Sequence, residues 1–167
     1  MKTLLVHAIY TFLFCPVRIG MLIFSLFLSS HIVIPIENPQ WTWPVNGRVS
    51  DTFGTRHGKH YGIDIAASIG TSVVAINDGI VTKSYRSSSY GHVVFIQHGE
   101  YEAVYAHLDK RYVFQGDSVN SGEIIGLVGN TGNSRGAHLH LEIHKGAWTL
   151  RKKNAINPLP FFMHKKR

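Results

Sequence analysis

Residues 136–146, GAHLHLEIHKG, place three histidines and one glutamate in a stretch where apolar and polar residues alternate. In a β-strand, alternate side chains point to opposite faces, so His138, His140 and Glu142 share one face. The Cα atoms of these two histidines would lie about 7 Å apart, which lets one imidazole bind a metal while the other stands beside it. The alternative is the polar outer face of an ordinary sheet. His144 has the same parity but lies about 13 Å from His140, so we expect it to be solvated at the strand's end.

A second candidate is HYGID, in which a histidine and an aspartate lie four positions apart. In a straight strand His60 and Asp64 would be about 13 Å apart, too far to share a metal bound at ~2 Å. A helix would bring them close, but Gly62 and the isoleucines that follow it disfavour a helix. The remaining route is a kink at Gly62, and by itself this spacing is a weak signal for a metal site.

The other histidines add one further candidate. His107, in YAHL, lies between apolar neighbours near the end of a predicted strand. Taken alone it is more typical of a satisfied core or surface histidine than of a catalytic one. Cys15 is the single cysteine, so we expect histidines and carboxylates rather than thiolates to hold any metal. Five histidines fall in or beside the apolar N-terminus, at turns or in the basic tail: His7, His31, His92, His98 and His164.

The elements that must position these residues are predicted to be strands. Short runs rich in Val, Ile, Tyr and Phe alternate with glycine turns: TSVVAI, GIVTKSY, GHVVFIQH, EAVYAHL, EIIGLVG and HLHLEIH. Turns are predicted at residues 77–79, 98–100 and 129–136. No amphipathic run reaches the ten to twelve residues of a helix. The sequence therefore predicts an all-β domain with mostly antiparallel sheets, of a compact two-sheet barrel-sandwich-like form, with little helix apart from the N-terminal leader.

Residues 1–30 are nearly uncharged and are typical of a signal peptide or a membrane anchor. The apolar stretch from Ile19 to Leu28 follows Arg18 and is followed by two serines, which favours export with cleavage near Ser29 or Ser30. A retained anchor over 19–36 and a start at Met21 are alternatives. Residues 31–42 are predicted to be a linker. We therefore expect an exported protein of the periplasm or cell envelope, either membrane-anchored or secreted, with a membrane as partner only if the anchor is retained.

The formal charge of the chain is +7. Much of the excess lies near the C-terminus, in RKK at 151–153 and KKR at 165–167, and no acid follows Glu142. Such a run suits an anionic partner, such as a cell wall, a membrane surface or nucleic acid, although a charge run is as often a solvated face. Residues 163–167 are predicted to be a basic tail.

Together the motifs resemble those of the lysostaphin-type zinc metallopeptidases, which cut peptide bonds in bacterial peptidoglycan. The resemblance rests on WPVNGRVSDTFGTR, HYGIDIAA, YAHL, GNTGNSRGAHLHLEI and INPLPFF, in that order, and covers residues 43–162. It implies a zinc metallopeptidase domain over 43–162, with peptidoglycan peptides as partners and no nucleic acid. Ala137 and Leu141 stand where the family commonly has Pro and Phe, which removes no functional group.

The resemblance implies roles for five residues. His60, Asp64 and His140 would bind Zn²⁺, and His107 and His138 would be the catalytic histidines, in an order that the sequence leaves open. Three protein ligands leave a fourth position for water, as in catalytic zinc sites. Glu142 is a candidate to orient a metal-bound imidazole.

Two other functions are considered. The family includes degenerate members that bind the wall or activate other hydrolases, but these typically lack site residues that this chain retains. GDSVNSGEIIGLVG also resembles the turns of biotinyl and lipoyl carrier domains, with Lys110 after Asp109 as the modified lysine. A carrier would need neither the histidines nor an export signal, so we expect a zinc endopeptidase.

Overall fold

The computed structural model describes residues 41–163, which form an antiparallel β-structure with very little helix. Within that range the helical elements are a four-residue turn, α1 (Thr55–Gly58), and a 3₁₀ turn (Leu159–Phe161). All six strands expected from the apolar runs are present, and the three predicted turns lie at strand ends. The ten strands are β1 (Arg48–Asp51), β2 (Ile63–Ala66), β3 (Ser72–Val74), β4 (Gly79–Ser87), β5 (Gly91–His98), β6 (Tyr101–Arg111), β7 (Ser118–Val119), β8 (Ile124–Val128), β9 (His138–Lys145) and β10 (Ala155–Ile156).

The strands belong to one hydrogen-bonded network in the order β1-β2-β9-β6-β5-β4-β7, with β10 beside β9. Strand β6 pairs with two partners on the same side of the network. Its residues 102–106 lie opposite β9, whereas residues 108–111 lie opposite β8, which in turn pairs with β3. The β3 and β8 pair thus leaves the main sheet, and the fold is sandwich-like rather than a closed barrel. The predicted fold class is confirmed.

The apolar face of β9 fixes the orientation of its polar face. Leu139, Leu141 and Ile143 are fully buried in the main core, beside Ile63 of β2 and Tyr105 of β6. Burying each of these aliphatic side chains stabilises the fold by about 1.5–3 kcal/mol. A slip of one residue in the register would exchange this face for the histidine face, so the core holds the histidines in place.

A smaller apolar cluster lies on the other face of the sheet. It consists of residues from β5 and β6, with two aromatic side chains packed against it: Val93, Phe95, Val104, Ala106, Tyr90 and Trp148. This cluster is on the same face as the histidine motif, so it forms the apolar support of the candidate site.

The described residues begin with Trp41, which is buried and packs against His98, Tyr101 and Phe161. The core therefore includes a residue that the sequence assigns to the linker. The predicted leader, residues 31–40 of the linker and residues 164–167 of the basic tail lie outside the described residues. Among residues 41–163, no helix is long and apolar enough to cross a membrane.

Candidate metal centre and catalytic site

Strand pairing brings the three histidine-containing motifs together. Strand β9 lies between β2 and β6, with Asp64 opposite His140 on one side and Ala106 opposite His140 on the other. Residues directly opposite in an antiparallel pair project to the same face with Cβ atoms about 4.5–5.5 Å apart. The side chains of Asp64 and His140 therefore meet, and His107 follows Ala106 at the same level of the sheet.

His60 reaches the same point from the turn before β2. The chain coils through α1, where Arg56 and His57 adopt left-handed backbone conformations. Two backbone hydrogen bonds close this turn: the N–H of Gly54 donates to the carbonyl oxygen of His60, and the N–H of His60 donates to that of Thr55. The Nδ1–H of His60 donates to the carbonyl oxygen of Thr52 at 2.8 Å, which leaves Nε2 free to face Asp64. The left-handed turn therefore fixes both the position and the tautomer of this imidazole.

Gly62 lies at the bend between His60 and β2, where the sequence predicts a kink. A glycine is needed here because β9 approaches the backbone closely, and not because of a positive φ. An added Cβ would lie 2.3 Å from the carbonyl oxygen of Leu141 and 3.0 Å from Cε1 of His140. The bend thus lets His60 and Asp64 point to one place although they are four residues apart.

Gly62→Ala is expected to lower the free energy of unfolding by about 1–3 kcal/mol, because β2 must move away from β9 to admit the methyl group. Denaturant unfolding measures this change. Gly136→Ala is the matched control, since nothing lies within 4 Å of an added Cβ there and its φ is not positive. Equal stability of the two variants would contradict this account of the bend.

Three ligand atoms converge at this point. Nε2 of His60 lies 3.1 Å from Oδ1 of Asp64 and 3.2 Å from Nδ1 of His140, and the last two atoms are 2.7 Å apart. All three residues are buried, and their ligand atoms lie within 4.8 Å of one another. Ligands about a tetrahedral zinc at ~2.0–2.1 Å are separated by roughly 3.3 Å, so this triangle fits such an ion with little adjustment.

The chemistry of the donor set also fits zinc. The Nε2–H of His140 donates to Oε1 of Glu142 at 3.2 Å, so Nδ1, which lies 2.7 Å from Oδ1 of Asp64, is the nitrogen available to a metal. The far nitrogens of His60 and His140 are thus both held by an oxygen acceptor, as is usual for metal-binding imidazoles. Two imidazoles and one carboxylate are the donor set of a catalytic zinc that keeps its fourth position open.

The electrostatics of the triangle favour a cation. Burial opposes the ionisation of Asp64, but hydrogen bonds from His140 and His60 outweigh it and hold the pKa of this carboxyl well below its usual range. Burial also disfavours protonated His140, yet Asp64 and Glu142 raise the pKa of His140 to about 9. Two carboxylates therefore create a negative potential between the imidazoles, which a bound metal ion would neutralise.

His107 stands beside the triangle in an unusual backbone conformation. Its φ is +63°, in the left-handed region that few non-glycine residues adopt. It lies within β6 just before a register shift at Leu108, and not at the strand end that the sequence predicts. Its Nδ1–H donates to the carbonyl oxygen of Thr131 at 2.8 Å, which leaves Nε2 as an acceptor. Burial lowers the pKa of His107 to about 4, so the ring is uncharged at neutral pH.

His138 is the second histidine outside the triangle. Its ring centre lies 4.8 Å from that of His107, and its Nε2 lies 3.6 Å from Oδ1 of Asp64. Its Nδ1–H donates to the carbonyl oxygen of Gly136 at 2.8 Å. The structure thus brings all five residues selected from the sequence to one place, with His107 and His138 on one side of the candidate ligands.

Glu142 and His144 differ from what the alternation alone suggests. His144 is expected to be solvated, but it is fully buried and its Nε2–H donates to Oε2 of Glu142 at 2.7 Å. The expectation is wrong because β10 pairs with this end of β9, where Ala155 lies opposite His144. Glu142 is buried as well and contacts His140, which agrees with an orienting role.

Three residues around the site are not selected by the sequence analysis. Arg56 pairs with Asp51 at 2.7 Å and also contacts Oδ2 of Asp64. Tyr90 and Lys152 both bond to the Glu142 carboxylate. Lys152 belongs to the RKK run, whose composition suggests a solvated basic surface. No spacing in the sequence links Lys152 to Glu142.

The site opens into a cleft of about 1050 Å³. One wall is formed by the loop before β9, which includes Asn133 and Arg135, and another by Trp148, Leu150 and Lys152 of the loop after β9. Lys59 and Arg135 line this cleft and are exposed. A cleft of this size can admit a ligand of drug size or larger, and its exposed cations face any ligand bound there.

Comparison with known proteins places these features in a family. The family model described as Peptidase family M23 matches residues 58–158. An uncharacterized metalloprotease of Haemophilus influenzae is 42% identical over 124 residues, which are 73% of this chain and 23% of that protein. The murein hydrolase activator NlpD of Escherichia coli is 37% identical over 123 residues, or 72% of this chain and 31% of NlpD. The DD-carboxypeptidase/endopeptidase Mpg of Neisseria gonorrhoeae is 40% identical over 121 residues, which are 68% of this chain and 28% of Mpg.

The chain thus spans about a quarter to a third of the length of these curated relatives. Among solved structures, the catalytic domain of the antimicrobial peptidase lysostaphin from Staphylococcus simulans superimposes with a TM-score of 0.61. The two are 30% identical, and the match covers 73% of this chain and 90% of that one. The similarity therefore extends to nearly all of that solved domain.

Proposed function

Because this chain belongs to peptidase family M23, we propose that it is a zinc-dependent endopeptidase that hydrolyses peptide bonds in the stem or cross-bridge peptides of peptidoglycan. The observation that carries the proposal is the convergence of His60, Asp64 and His140 in an open cleft beside His107 and His138. A structural site encloses its metal with four protein ligands, whereas three ligands in an open cleft suit catalysis.

In this proposal His60, Asp64 and His140 hold the metal. A zinc ion bound there supplies a Lewis acid and lowers the pKa of water to about 7. The protein supports it through fixed imidazole tautomers, since the carbonyl of Thr52 and the carboxylate of Glu142 hold the nitrogens that face away from the site. The ligand geometry is thus set before substrate enters the cleft.

His107 and His138 act on protons at the reacting peptide bond. The uncharged ring of His107 presents Nε2 to the cleft, so it can accept the proton of the attacking water and return it to the leaving amine. His138 lies at the more open side, and its Nδ1–H is held by the Gly136 carbonyl, so only the doubly protonated ring can donate from Nε2 to the oxyanion that forms as the carbonyl is attacked. The left-handed backbone of His107 is consistent with this role, because strained residues persist where function needs them.

The cleft favours a substrate that carries carboxylates. Lys59 and Arg135 are exposed along it, whereas the acidic residues that line it, Asp64 and Glu142, are already bonded to other side chains. Stem peptides bear free carboxylates and glycine bridges do not. The name of the relative Mpg, a DD-carboxypeptidase/endopeptidase, also supports a cross-link between D-alanine and a diamino acid as the bond cleaved.

Arg135→Glu is expected to lower kcat/KM for cross-linked stem peptides about 2–5-fold, because one exposed charge contributes about 0.5–1 kcal/mol. Added salt should reduce the difference between variant and wild type. Lys110→Glu is the control, since Lys110 is exposed on β6 and does not line the cleft. An equal loss in both variants would show a general charge effect and contradict a role for this cleft cation.

The second candidate is a wall-binding or regulatory module that does not cleave. The similarity to NlpD, a murein hydrolase activator, favours it. The presence of all five site residues favours cleavage.

Incubation of the purified protein with zinc and cell walls of defined chemistry separates the two functions. We expect soluble fragments whose masses show a new amino terminus at a peptide cross-link. Binding without fragments, or fragments that form only when another hydrolase is added, would support the second candidate instead.

We also propose that the protein acts in the cell envelope, where its substrate is found. The apolar N-terminus would export or anchor it, and the basic residues at 165–167 would favour an anionic wall surface.

A further inference from the structure

The Glu142 carboxylate is buried behind His140 and accepts hydrogen bonds from four side chains. Oε1 accepts from His140 Nε2 at 3.2 Å and from Tyr90 Oη at 2.6 Å. Oε2 accepts from His144 Nε2 at 2.7 Å. The ammonium of Lys152 bonds to both oxygens, at 2.6 and 2.7 Å. The orientation of this carboxylate is therefore fully determined by its neighbours.

Lys152 reaches this point from the loop between β9 and β10. Its own φ is +55°, a left-handed conformation that costs a lysine energy and persists only when other contacts enforce it. Its side chain is 13% exposed, and its ammonium lies 4.6 Å from the ring of Tyr90 and 4.9 Å from that of Trp148. The cation is thus held between two aromatic rings and one carboxylate.

The loop that carries Lys152 is itself fixed to the sheet. The backbone N–H of Trp148 donates to Oε2 of Glu102 at 2.6 Å, and its indole N–H donates to Tyr90 Oη at 3.3 Å. The side chain of Asn154 closes the loop by donating to the carbonyl oxygen of Ala147 at 2.8 Å. These bonds hold the loop in place, so Lys152 is part of the buried structure around the metal ligands.

We propose that Lys152 is a positioning residue for the metal site, acting through Glu142 on His140. It clamps the carboxylate so that Glu142 holds the Nε2–H of His140, and this bond presents Nδ1 of His140 to the metal. The inference rests on the proposed function in one respect, which is that His140 is a metal ligand. It adds a part of the site that lies on a different loop and in a segment of the sequence without any motif.

Without the ammonium, the carboxylate keeps His140, His144 and Tyr90 as partners but loses the one side chain that bonds to both of its oxygens. Its hold on the Nε2–H of His140 is then weaker, so the orientation of that imidazole is less tightly fixed. Loss of a partner that orients a metal ligand typically lowers metal affinity 10–100-fold. We expect Lys152 to contribute an effect of this size.

The test compares Lys152→Met with Lys153→Met. Methionine keeps an unbranched apolar stem between the two rings and removes the charge, and Lys153 is the exposed neighbour. Zinc affinity is measured by competition with a chromophoric chelator, and ligand geometry by the visible spectrum of the Co²⁺-substituted protein. We expect a 10–100-fold weaker zinc affinity and an altered Co²⁺ spectrum for Lys152→Met, and no change for Lys153→Met.

A double-mutant cycle with Glu142→Gln separates positioning from a general structural effect. If Lys152 acts through Glu142, its loss in the Glu142→Gln background should cause little further loss of zinc affinity. Lys152→Gln serves the same comparison if the methionine variant does not fold. Its zinc affinity should lie between that of the wild type and that of Glu142→Gln. Folding of each variant is checked by circular dichroism.

Wild-type zinc affinity and an unchanged Co²⁺ spectrum in a folded Lys152 variant would overturn the inference, as would fully additive losses in the cycle. Neither result would affect the proposed function if the wild type still cleaves cell wall with zinc. A wild type that binds no zinc would instead refute the proposed function.

Discussion

His140→Ala is expected to lower zinc affinity by at least ~100-fold and to reduce peptidoglycan hydrolysis below ~1% of the wild-type rate, because one of three protein ligands is lost. His140 also connects the two carboxylates of the site, since Asp64 and Glu142 bond to its two nitrogens. Zinc content after dialysis against a weak chelator and the release of soluble wall fragments measure the two effects.

Two further variants guard against a change in folding. Asp64→Asn keeps the volume of the side chain and removes its charge, and it should also lose zinc and activity. His57→Asn is the matched control, because His57 is exposed, lies outside the ligand triangle, and has a left-handed conformation that asparagine tolerates. Stoichiometric zinc and undiminished cleavage in a folded His140→Ala protein would refute the ligand set.

The second large effect is expected at the histidines beside the metal ligands. His107→Asn and His138→Gln should each lower kcat about 10²–10⁴-fold while zinc content stays at the wild-type level, because they remove proton transfer or oxyanion stabilisation and leave the ligands intact. Asparagine is chosen at 107 because the site requires a φ of +63°. Single-turnover assays on a cross-linked peptide, with zinc measured in the same samples, separate chemistry from metal loss.

The two losses should be far from additive, since the histidines would act in one reaction and their rings lie 4.8 Å apart. His57→Asn again controls for the removal of a histidine near the site. A His107 or His138 variant that loses zinc together with activity would indicate a ligand or structural role, and one that keeps full activity would exclude the residue from the chemistry.

Much of the fold could be predicted from the sequence because it depends on local patterns, whereas the candidate site residues were implied by the resemblance of the motifs to a known family. Alternation in β9 correctly placed His138, His140 and Glu142 on one face, with Leu139 and Leu141 in the core. The order of the motifs pointed to the family, and the match of Peptidase family M23 to residues 58–158 confirms that resemblance.

What the sequence could not supply is the pairing between distant strands. The position of β9 between β2 and β6, which brings Asp64 and His140 face to face, involves residues 76 positions apart. The burial of His144 depends in the same way on β10, a two-residue strand that is too short to show an alternating pattern. The contact between Lys152 and Glu142 depends on a loop conformation that a run of three cations does not reveal.

The backbone at four positions was also beyond prediction. Arg56, His57, His107 and Lys152 have positive φ values, which few non-glycine residues adopt. At His107, hydrogen bonds to Tyr90 and Thr131 hold the conformation, and at Arg56 a bond from His60 back to Thr55 closes the turn. Such strain is a property of the assembled site and leaves no signature in the local sequence.

If the proposed function is correct, hydrolysis depends on one metal ion held by His60, Asp64 and His140. The most direct measurement strips the wild-type protein with a chelator, returns zinc in steps, and records bound zinc and wall fragments in the same samples. We expect no release without metal and a rate that rises in proportion to zinc until one ion is bound per chain. Full hydrolysis by the metal-free protein, or none by protein with one zinc per chain, would contradict it.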